Sequence, residues 1–505
     1  MILQATSKYG PGVVFFGGGS TTSVLHPLVL AAMAVVLIAA FTLRRKYVIV
    51  PLLLGILLIP MGQNLYVFGS HFFTFRMIVL AILARTFFSR PRAVRFLAGG
   101  FCLMDGLFLA WALNRAICGI LLDGTPAVIN TCGFLIDSVG GYFLFRTLIR
   151  DVKDVQRVVS VLAVVSIAAT ILMLNELRTG HNVLFLLGGI AQDTEIRNGR
   201  IRAEAFFQHA ILAGAFGATS FPLFLWLWTT GKRKSLAMAG SVFSILMVFA
   251  SASSTPVGAF LGCILALGAW PLRKQMRAVR WSTLGLIVML ALVMKAPVWY
   301  LIQRVDFVGG STGEDRAVLF DQCWQHIGEW WLIGTHNYVN WFWDTFDVCN
   351  QYVFEAVSGG LVGLAAFIAM ISVTFRNIGQ ARRKVSGSRK NEWLCWLLGA
   401  SLFADLTAFI GVSYFDQSRF LWFAFLAMVI AFSNPVKESR SAGGQGRARS
   451  GDDLDAEPSG EPGIQDASRA QGRSTPDGFL PETYAPRSLV RAEEGRRPLT
   501  LVGAE

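Results

Sequence analysis

The sequence carries little charge for its length. Asp, Glu, Lys and Arg make up only 15% of its 505 residues, whereas 54% are hydrophobic, and the mean hydropathy is +0.52. A soluble domain of ordinary composition would carry roughly 25% charged residues. The composition therefore excludes a soluble protein and predicts a polytopic membrane protein.

The sequence also lacks any spacing typical of a metal site. Its seven cysteines and six histidines form no CxxC pair and no Cys/His pattern of the kind that holds zinc. We therefore predict no metal and no cofactor. Cys323 and Cys349 both fall in a predicted outer loop, where a disulfide is the alternative to two free thiols.

Two further features are missing. The first 22 residues lack a charged start and a compact apolar core followed by a cleavage site, so we expect the first span to be retained. No repeat of 20 to 50 residues is evident. This absence argues against a transporter built from two related halves.

Long apolar segments dominate the rest of the chain. An apolar helix needs roughly 20 residues to cross about 30 Å of hydrocarbon. By this measure we predict an all-α transmembrane bundle of about 12 to 13 spans. The candidate segments are 23–43, 47–62, 71–88, 96–114, 128–148, 155–175, 205–230, 235–251, 255–271, 282–302, 351–375, 393–411 and 419–434.

Lysine and arginine cluster in every second connection between these segments. The clusters lie at 44–46, 90–95, 150–157, 232–234, 273–280 and 382–390. The positive-inside rule assigns them to the cytoplasm, which places the amino terminus in the periplasm and the carboxyl terminus inside. We therefore interpret the net charge of +13 as a topology signal in a bacterial inner membrane that contacts lipids, with no nucleic-acid partner.

Two domains follow from these patterns. Residues 1–434 form the transmembrane unit, with periplasmic loops at 176–204 and 303–350, and the larger loop is expected to contain short helices. Residues 435–505 are rich in Gly, Ser, Pro and charged residues and predict a disordered cytoplasmic tail, to which we assign no chemistry.

Several ionisable residues lie inside predicted spans. Because a charge is costly at mid-membrane depth, we expect them to face the bundle interior or water. Lys295 and Glu355 have the alternative of lying near helix ends. The set is Asp105, Asp137, Lys295, Glu355 and Asp405.

The predicted periplasmic loop at 176–204, which we call the first outer loop, ends in arginines that the membrane topology of the chain does not explain. Arg197, Arg200 and Arg202 lie on the predicted periplasmic face, where the positive-inside rule disfavours them. Planar guanidinium groups form bidentate bonds to phosphate, which predicts an anionic substrate. Alternatively, these arginines bind lipid headgroups or pair with Glu195 and Glu204.

The predicted periplasmic loop at 303–350, which we call the second outer loop, is rich in polar and aromatic side chains. It contains Asp315, Arg316, His336 and Asp347, together with five tryptophans between Trp324 and Trp343. Arg316 opens a stretch with apolar residues at helical spacing. The tryptophans either stack on sugars or form an interfacial belt, and the belt is the better-supported interpretation.

These elements together resemble the O-antigen ligase and polymerase superfamily. The resemblance covers residues 200 to 375 and rests on order and spacing. Its elements are the Arg202 to Ala210 motif, Ser251 to Pro256 before a small-residue span, Asp315-Arg316 with a following tryptophan, Leu332-Ile333-Gly334, Cys349-Asn350-Gln351-Tyr352, and Gly360 with Gly363.

The resemblance implies an inverting, metal-independent glycosyltransferase that polymerises oligosaccharide repeats carried on polyprenyl diphosphate. Arg202 and Arg316, with Arg200 and Arg197, would hold the diphosphate and stabilise its growing charge. The implied partners are this donor, a glycan acceptor, a chain-length regulator and a flippase. An O-antigen ligase acting on lipid A core and a non-enzymatic transporter of lipid-linked oligosaccharides are the alternatives.

One position departs from the family pattern. Where the His-Asn motif has its histidine, this chain has Cys349, followed by Asn350. A thiol is a poor proton acceptor in place of imidazole. The resemblance then leaves Asp347 as the first candidate base, His336 as the second and Asp315 as the third, although Asp347 has the alternative of capping the next helix. The missing histidine favours a polymerase over a ligase.

Overall fold

The computed structural model describes residues 23–67, 70–88, 97, 99–125, 127–304, 313–341 and 348–433. Helix makes up 77% of the structure, with few strands, which confirms the helical class. The predicted tail at 435–505 and the candidate base Asp347 lie outside the described residues.

In the described ranges the α-helices are α1 (Pro27–Thr42), α2 (Arg45–Leu58), α3 (Thr74–Phe88), α4 (Leu103–Asp123), α5 (Ala127–Leu135), α6 (Gly141–Leu148), α7 (Val152–Thr179), α8 (Ala210–Thr230), α9 (Lys234–Ala250), α10 (Ser254–Gly268), α11 (Met276–Val293), α12 (Gly313–Gln325), α13 (Ile327–Trp330), α14 (Gln351–Lys384), α15 (Arg389–Phe409) and α16 (Ser418–Ser433). A π-helical turn, Ile136–Gly140, joins α5 to α6. Two antiparallel hairpins pair β1 (Asn64–Val67) with β2 (Ser70–Phe73) and β3 (Glu195–Arg197) with β4 (Arg200–Arg202).

Seven helices in the described part of the chain are long and apolar enough to cross a membrane. They are α4, the continuous α5–α6 helix, α7, α8, α11, α14 and α15, and four shorter apolar helices, α1, α9, α10 and α16, accompany them. Every segment predicted as a span overlaps a helix. The protein is therefore a multi-pass membrane protein.

Helix ends follow local sequence signals. Asp151 caps α7 by accepting a 2.7 Å hydrogen bond from the Asp154 amide, and the helix ends at Gly180, which has a φ of +77°. Asn350 caps α14 by accepting a 3.0 Å bond from the Val353 amide. Helix capping was the alternative role predicted for Asp347. In the structure Asn350 fills that role.

The bundle centres on α8, whose buried face packs against α9, α10 and α15. Small residues allow this close approach. A Cβ atom added at Gly217 would lie 2.5 Å from the Ser244 carbonyl oxygen of α9, and one added at Gly214 would lie 2.4 Å from Ser251 Oγ. Packing through small residues is the usual way for helices to associate in membranes.

Most of the ionisable residues expected inside the spans are buried and paired. Arg146 Nε lies 2.8 Å from Asp105 Oδ1, and both side chains are fully buried. Arg76 Nη2 lies 2.7 Å from Asp137 Oδ2. Lys295 instead follows the end of α11 and is exposed. The pairs offset the cost of placing charge in the bundle.

Helix α14 is broken within its first third. Gly360 has φ 63° and ψ −166°, and a Cβ atom there would lie 2.5 Å from the Leu332 carbonyl oxygen. Residues 331–335, which we call the clasp, bind this break: Leu361 N donates to Trp331 O at 2.9 Å, and Thr335 N donates to Val357 O at 2.8 Å. Backbone groups buried away from water need such partners.

The loop that contains α12 and α13 has its own small core. Cys323 and Trp330 are buried in it with Val357 of α14, and Trp330 Nε1 donates a 2.7 Å hydrogen bond to Cys323 O. Trp324 and Trp331, in contrast, are exposed. The small core fixes α12 and its arginine against the first half of α14.

Candidate functional site

A large cavity lies at one end of the bundle. Its volume is about 980 Å³, within the range of cavities that bind small ligands. Its walls are largely aromatic and include Phe108, Trp111, Phe134, Phe409, Trp422 and Phe423. In the described part of the second outer loop, Trp324, Trp330, Trp331 and Trp341 do not line it, so its aromatic surface comes mainly from the helices.

The position of the cavity follows from the helix ends around it. Its wall includes residues just after α2 and α15, such as Met61 and Ser413, and residues at the starts of α8, α14 and α16, such as His209, Gln351 and Arg419. These ends are opposite the basic turns that the sequence assigns to the cytoplasm.

The hairpin β3–β4 brings a carboxylate to Arg202. Glu195 pairs with Arg202 across the hairpin, and Arg202 Nη1 lies 2.6 Å from Glu195 Oε2. Arg202 is buried, whereas Glu195 lines the cavity. Arg202 therefore pairs with Glu195, as one of the alternatives from the sequence predicted.

A serine from another part of the chain orients the same guanidinium. Arg202 Nη2 and Nε lie 2.8 Å and 3.3 Å from Ser253 Oγ, and that hydroxyl donates to Ser251 O at 2.9 Å. The Ser251 to Pro256 motif thus fixes the arginine between two helices.

A buried glutamate shapes the segment that follows Arg202. Glu176, near the end of α7, accepts hydrogen bonds from the amides of Glu204 and Ala205 at 2.7 Å and 2.8 Å. Ala205 has a φ of +53°, which a side chain rarely adopts. The two bonds hold this strained turn, which leads directly to the cavity wall at His209.

Arg316 joins the same region from the second outer loop. It is only 8% exposed, and its Nε atom has no hydrogen-bond partner among the described residues. Its charge interacts with those of Arg197 and Arg202, with Cys349 and with Asp315. Two distant segments therefore place Arg197, Arg202 and Arg316, which we call the arginine cluster, within range of one another's charge.

Glu195 is the carboxylate that balances part of this charge. Burial raises the pKa of Glu195, but the charges of Arg202 and Arg197 outweigh burial and hold that pKa below its ordinary value. Arg197 Nε lies 3.9 Å from Glu195 Oε1. Glu195 therefore stays ionised and ties two arginines to the rim of the cavity.

The hydrogen bonds of His209 define its tautomer. Nδ1 accepts from the Ile211 amide at 3.1 Å as the cap of α8, so the proton lies on Nε2, which is 3.7 Å from Glu195 Oε2. Burial, together with the charge of Arg202, lowers the pKa of His209 from 6.5 to about 4. His209 is thus a neutral donor near the cavity.

The other residues named from the sequence lie in different settings. Arg200 is exposed in the hairpin. His336 Nδ1 lies 3.0 Å from Asp123 Oδ1, and both side chains are about half exposed, away from the cavity wall. Asp315 is partly buried and influences Arg316 electrostatically.

Cys349 and Asn350 lie where α14 begins. Cys349 and Cys323 form no disulfide in the structure, so of the two alternatives it has the reduced one. Asn350 is buried, and its Nδ2 donates a 2.8 Å hydrogen bond to Ile410 O. Asn350 therefore ties the start of α14 to the end of α15 as well as capping the helix.

Sequence reasoning missed two arginines of the cavity wall. Arg115 of α4 and Arg419 of α16 both line the cavity, and Arg115 lies 3.7 Å from Glu355. The signal for them in the sequence was weak, because Arg115 directly follows the segment predicted at 96–114 and Arg419 is the first residue of the segment predicted at 419–434.

In the described part of the chain, no group of three or more His, Cys, Asp and Glu residues is placed to hold a metal ion. No protein-family model matches the chain, and no curated protein sequence matches it significantly.

Proposed function

We propose that this protein is an inverting, metal-independent glycosyltransferase of the O-antigen ligase and polymerase superfamily. In this proposal it polymerises oligosaccharide repeats carried on polyprenyl diphosphate. The observation that supports it most is that Arg197, Arg202 and Arg316 lie within range of one another's charge, and that two of them pair with Glu195 on the wall of an aromatic cavity of about 980 Å³. A cluster of guanidinium groups with an orphan donor suits a diphosphate.

The chemistry follows from charge. When the bond between the anomeric carbon and the diphosphate breaks, negative charge grows on the leaving oxygen. Arg202 is held rigidly by Glu195 and Ser253, so it stabilises this charge without having to reorganise. Arg316, whose Nε has no partner among the described residues, supplies a further donor.

The aromatic walls suit the rest of the substrate. Aromatic rings pack against both isoprenoid chains and sugar faces, and Trp111 and Trp422 are placed for such contacts. In this proposal about 12 to 13 helices span a bacterial inner membrane, and the cavity faces the periplasm, since the basic turns lie at the other end of the bundle. Both outer loops are then periplasmic and the carboxyl terminus is cytoplasmic.

The acceptor distinguishes the two enzyme classes. A polymerase transfers to another lipid-linked repeat and works with a flippase and a chain-length regulator, whereas a ligase transfers to lipid A core. Cys349 in the place of the family histidine favours the polymerase. A transporter of lipid-linked oligosaccharide remains the competing class because it too needs a large cavity among helices.

Complementation of a deletion strain tests the proposal. Arg202→Ala and Arg316→Ala are expected to insert at wild-type levels, measured by immunoblot, and to accumulate single lipid-linked repeats without polymer. Arg178→Ala is the matched control, because Arg178 is exposed at the end of α7. It should give normal polymer.

The products separate the alternatives. Normal polymer from both arginine variants would refute the glycosyltransferase. Full-length polymer that stays on its lipid carrier would indicate a ligase, since polymerisation is then intact. Lipid-linked repeats trapped on the cytoplasmic face would indicate a transporter.

A further inference from the structure

The cavity wall holds a carboxylate that the proposed diphosphate site does not use. Glu355, in the second turn of α14, is only 1% exposed and lines the cavity. Trp111 Nε1 donates to Glu355 Oε2 and Gln351 Nε2 donates to Oε1, each at 2.7 Å. Arg115 Nη1 lies 3.7 Å from Oε1.

The groups that hold this carboxylate are themselves fixed. The Tyr414 amide donates to Gln351 Oε1 at 2.8 Å. The guanidinium of Arg115 lies over the rings of Phe354 and Phe134, at 4.3 Å and 5.1 Å from their centroids. A buried charge pair is often no more stable than apolar side chains of the same volume. The network therefore points to a use for the carboxylate beyond holding the fold.

Glu355 has room for another hydrogen bond. An ionised carboxylate offers about four lone-pair sites, and among the described residues Glu355 accepts hydrogen bonds from two donors, Trp111 and Gln351. A hydroxyl that donates to a carboxylate forms a short, charge-assisted bond. The position can thus bind an alcohol that enters the cavity.

Other ionisable groups of the wall are less suited to accept a proton. His209 already uses Nδ1 as an acceptor and carries its proton on Nε2. Glu195 is bonded to Arg202 at 2.6 Å. Asp193 is 80% exposed and bonded to His181. Glu355 is buried and accepts its hydrogen bonds from two neutral donors, Trp111 and Gln351, with the Arg115 guanidinium farther away at 3.7 Å.

We propose that Glu355 binds the attacking hydroxyl of the acceptor sugar and takes its proton during glycosyl transfer. This inference rests on the proposed function and assigns its acceptor subsite. The hydroxyl oxygen bonds to the anomeric carbon as the bond from that carbon to the diphosphate breaks. The electron pair leaves with the diphosphate toward the arginine cluster, and the proton moves to Glu355, which later releases it to water.

Purified full-length protein in liposomes tests the assignment. The substrate is lipid-linked glycan extracted from the deletion strain, and farnesyl diphosphate is the probe for the arginine cluster. Glu355→Gln is expected to slow transfer by about 100-fold or more, the usual loss for a removed general base. It should bind farnesyl diphosphate within about twofold of wild type, because the diphosphate contacts are unchanged.

The matched control is Glu392→Gln. Glu392 pairs with Arg273 at 3.0 Å at the opposite end of α15, so this variant loses an ion pair without touching the cavity. It should transfer at the wild-type rate. Added formate should restore transfer to Glu355→Ala by about tenfold, because a small carboxylate can occupy the vacated place, and it should not rescue Arg202→Ala.

Three results would overturn the assignment. Transfer by Glu355→Gln within about threefold of wild type would exclude a proton-accepting role. Joint loss of transfer, farnesyl diphosphate binding and thermal stability, without formate rescue, would show that Glu355 is structural. Wild-type protein that binds farnesyl diphosphate but forms no glycosidic bond would reject the proposed function itself, and the acceptor subsite with it.

Discussion

Arg202 Nη2 donates a 2.8 Å hydrogen bond to Ser253 Oγ, although Ser253 lies 51 residues later and directly precedes another helix. The bond sets the orientation of the guanidinium plane, because Glu195 holds only Nη1. An arginine held from two sides presents its remaining donors in one direction, which is the condition for bidentate binding of an anion.

Ser253→Ala is expected to weaken farnesyl diphosphate binding by about tenfold, because one oriented hydrogen bond to a charged group is lost. Equilibrium binding to the purified protein measures the change. Ser241→Ala is the control, since Ser241 Oγ bonds only to the preceding turn of its own helix at 2.9 Å. Equal affinities for both variants would contradict the orienting role of Ser253.

His209→Asn is expected to reduce the sensitivity of the fold to acid. The pKa of His209 is about 4 in the folded protein against an ordinary 6.5. The unfolded chain therefore takes up a proton first as the pH falls from 6.5 toward 4, and stability is lost over that window. With allowance for partial exposure, the loss between pH 7 and pH 5 is on the order of 1 kcal/mol.

Asparagine can still cap α8 without titrating. Thermal unfolding at pH 7 and pH 5 should therefore give a smaller drop in Tm for His209→Asn than for wild type. An identical drop in the two proteins would show that other groups control the acid response.

Gly360→Ala is expected to destabilise the protein by about 2 kcal/mol or more, through its positive φ and the contact with Leu332 O. Gly379→Ala, in the same helix, has open space around the added Cβ atom and should leave stability unchanged or slightly raised. Thermal unfolding of both variants in detergent measures the difference. If α14 were straight at Gly360, the two substitutions would have the same small effect on stability.

Glu176→Gln is expected to cost about 1 to 3 kcal/mol, because one of two backbone amides loses its acceptor. Since the affected turn joins Arg202 to His209, farnesyl diphosphate binding should weaken as well. Glu314→Gln, at an exposed position in α12, is the control for removing a charge. Loss of stability without loss of farnesyl diphosphate binding would show that the turn does not position the arginine cluster.

The helices were predictable because each span carries its own signal. Hydropathy and the alternation of basic turns located α7, α8 and α15 within a few residues, since lipid requires long apolar helices wherever the chain crosses. The hairpin β3–β4 was not predicted. It has three residues per strand, too few for any periodic pattern.

The site was predictable only in part. Arg202 was identified because a positive charge is disfavoured on the predicted periplasmic face. Arg316 was identified because it begins a helical stretch within a polar loop. The contact between Trp111 and Glu355 joins residues 244 positions apart, and no local pattern specifies which faces of α4 and α14 meet. His336 was predicted as a candidate base from its residue type. In the structure it pairs with Asp123, and the sequence gives no sign of this contact.

The clasp at 331–335 sets an order of events during biogenesis. The partners of the break in α14 come from a segment that precedes it in the chain and, in the proposed topology, lies across the membrane from the ribosome. The Leu361 amide can reach Trp331 only after that segment has been translocated. The bend stabilised by the clasp therefore forms only after residues 331–335 have crossed the membrane, and the bent helix marks a translocated loop.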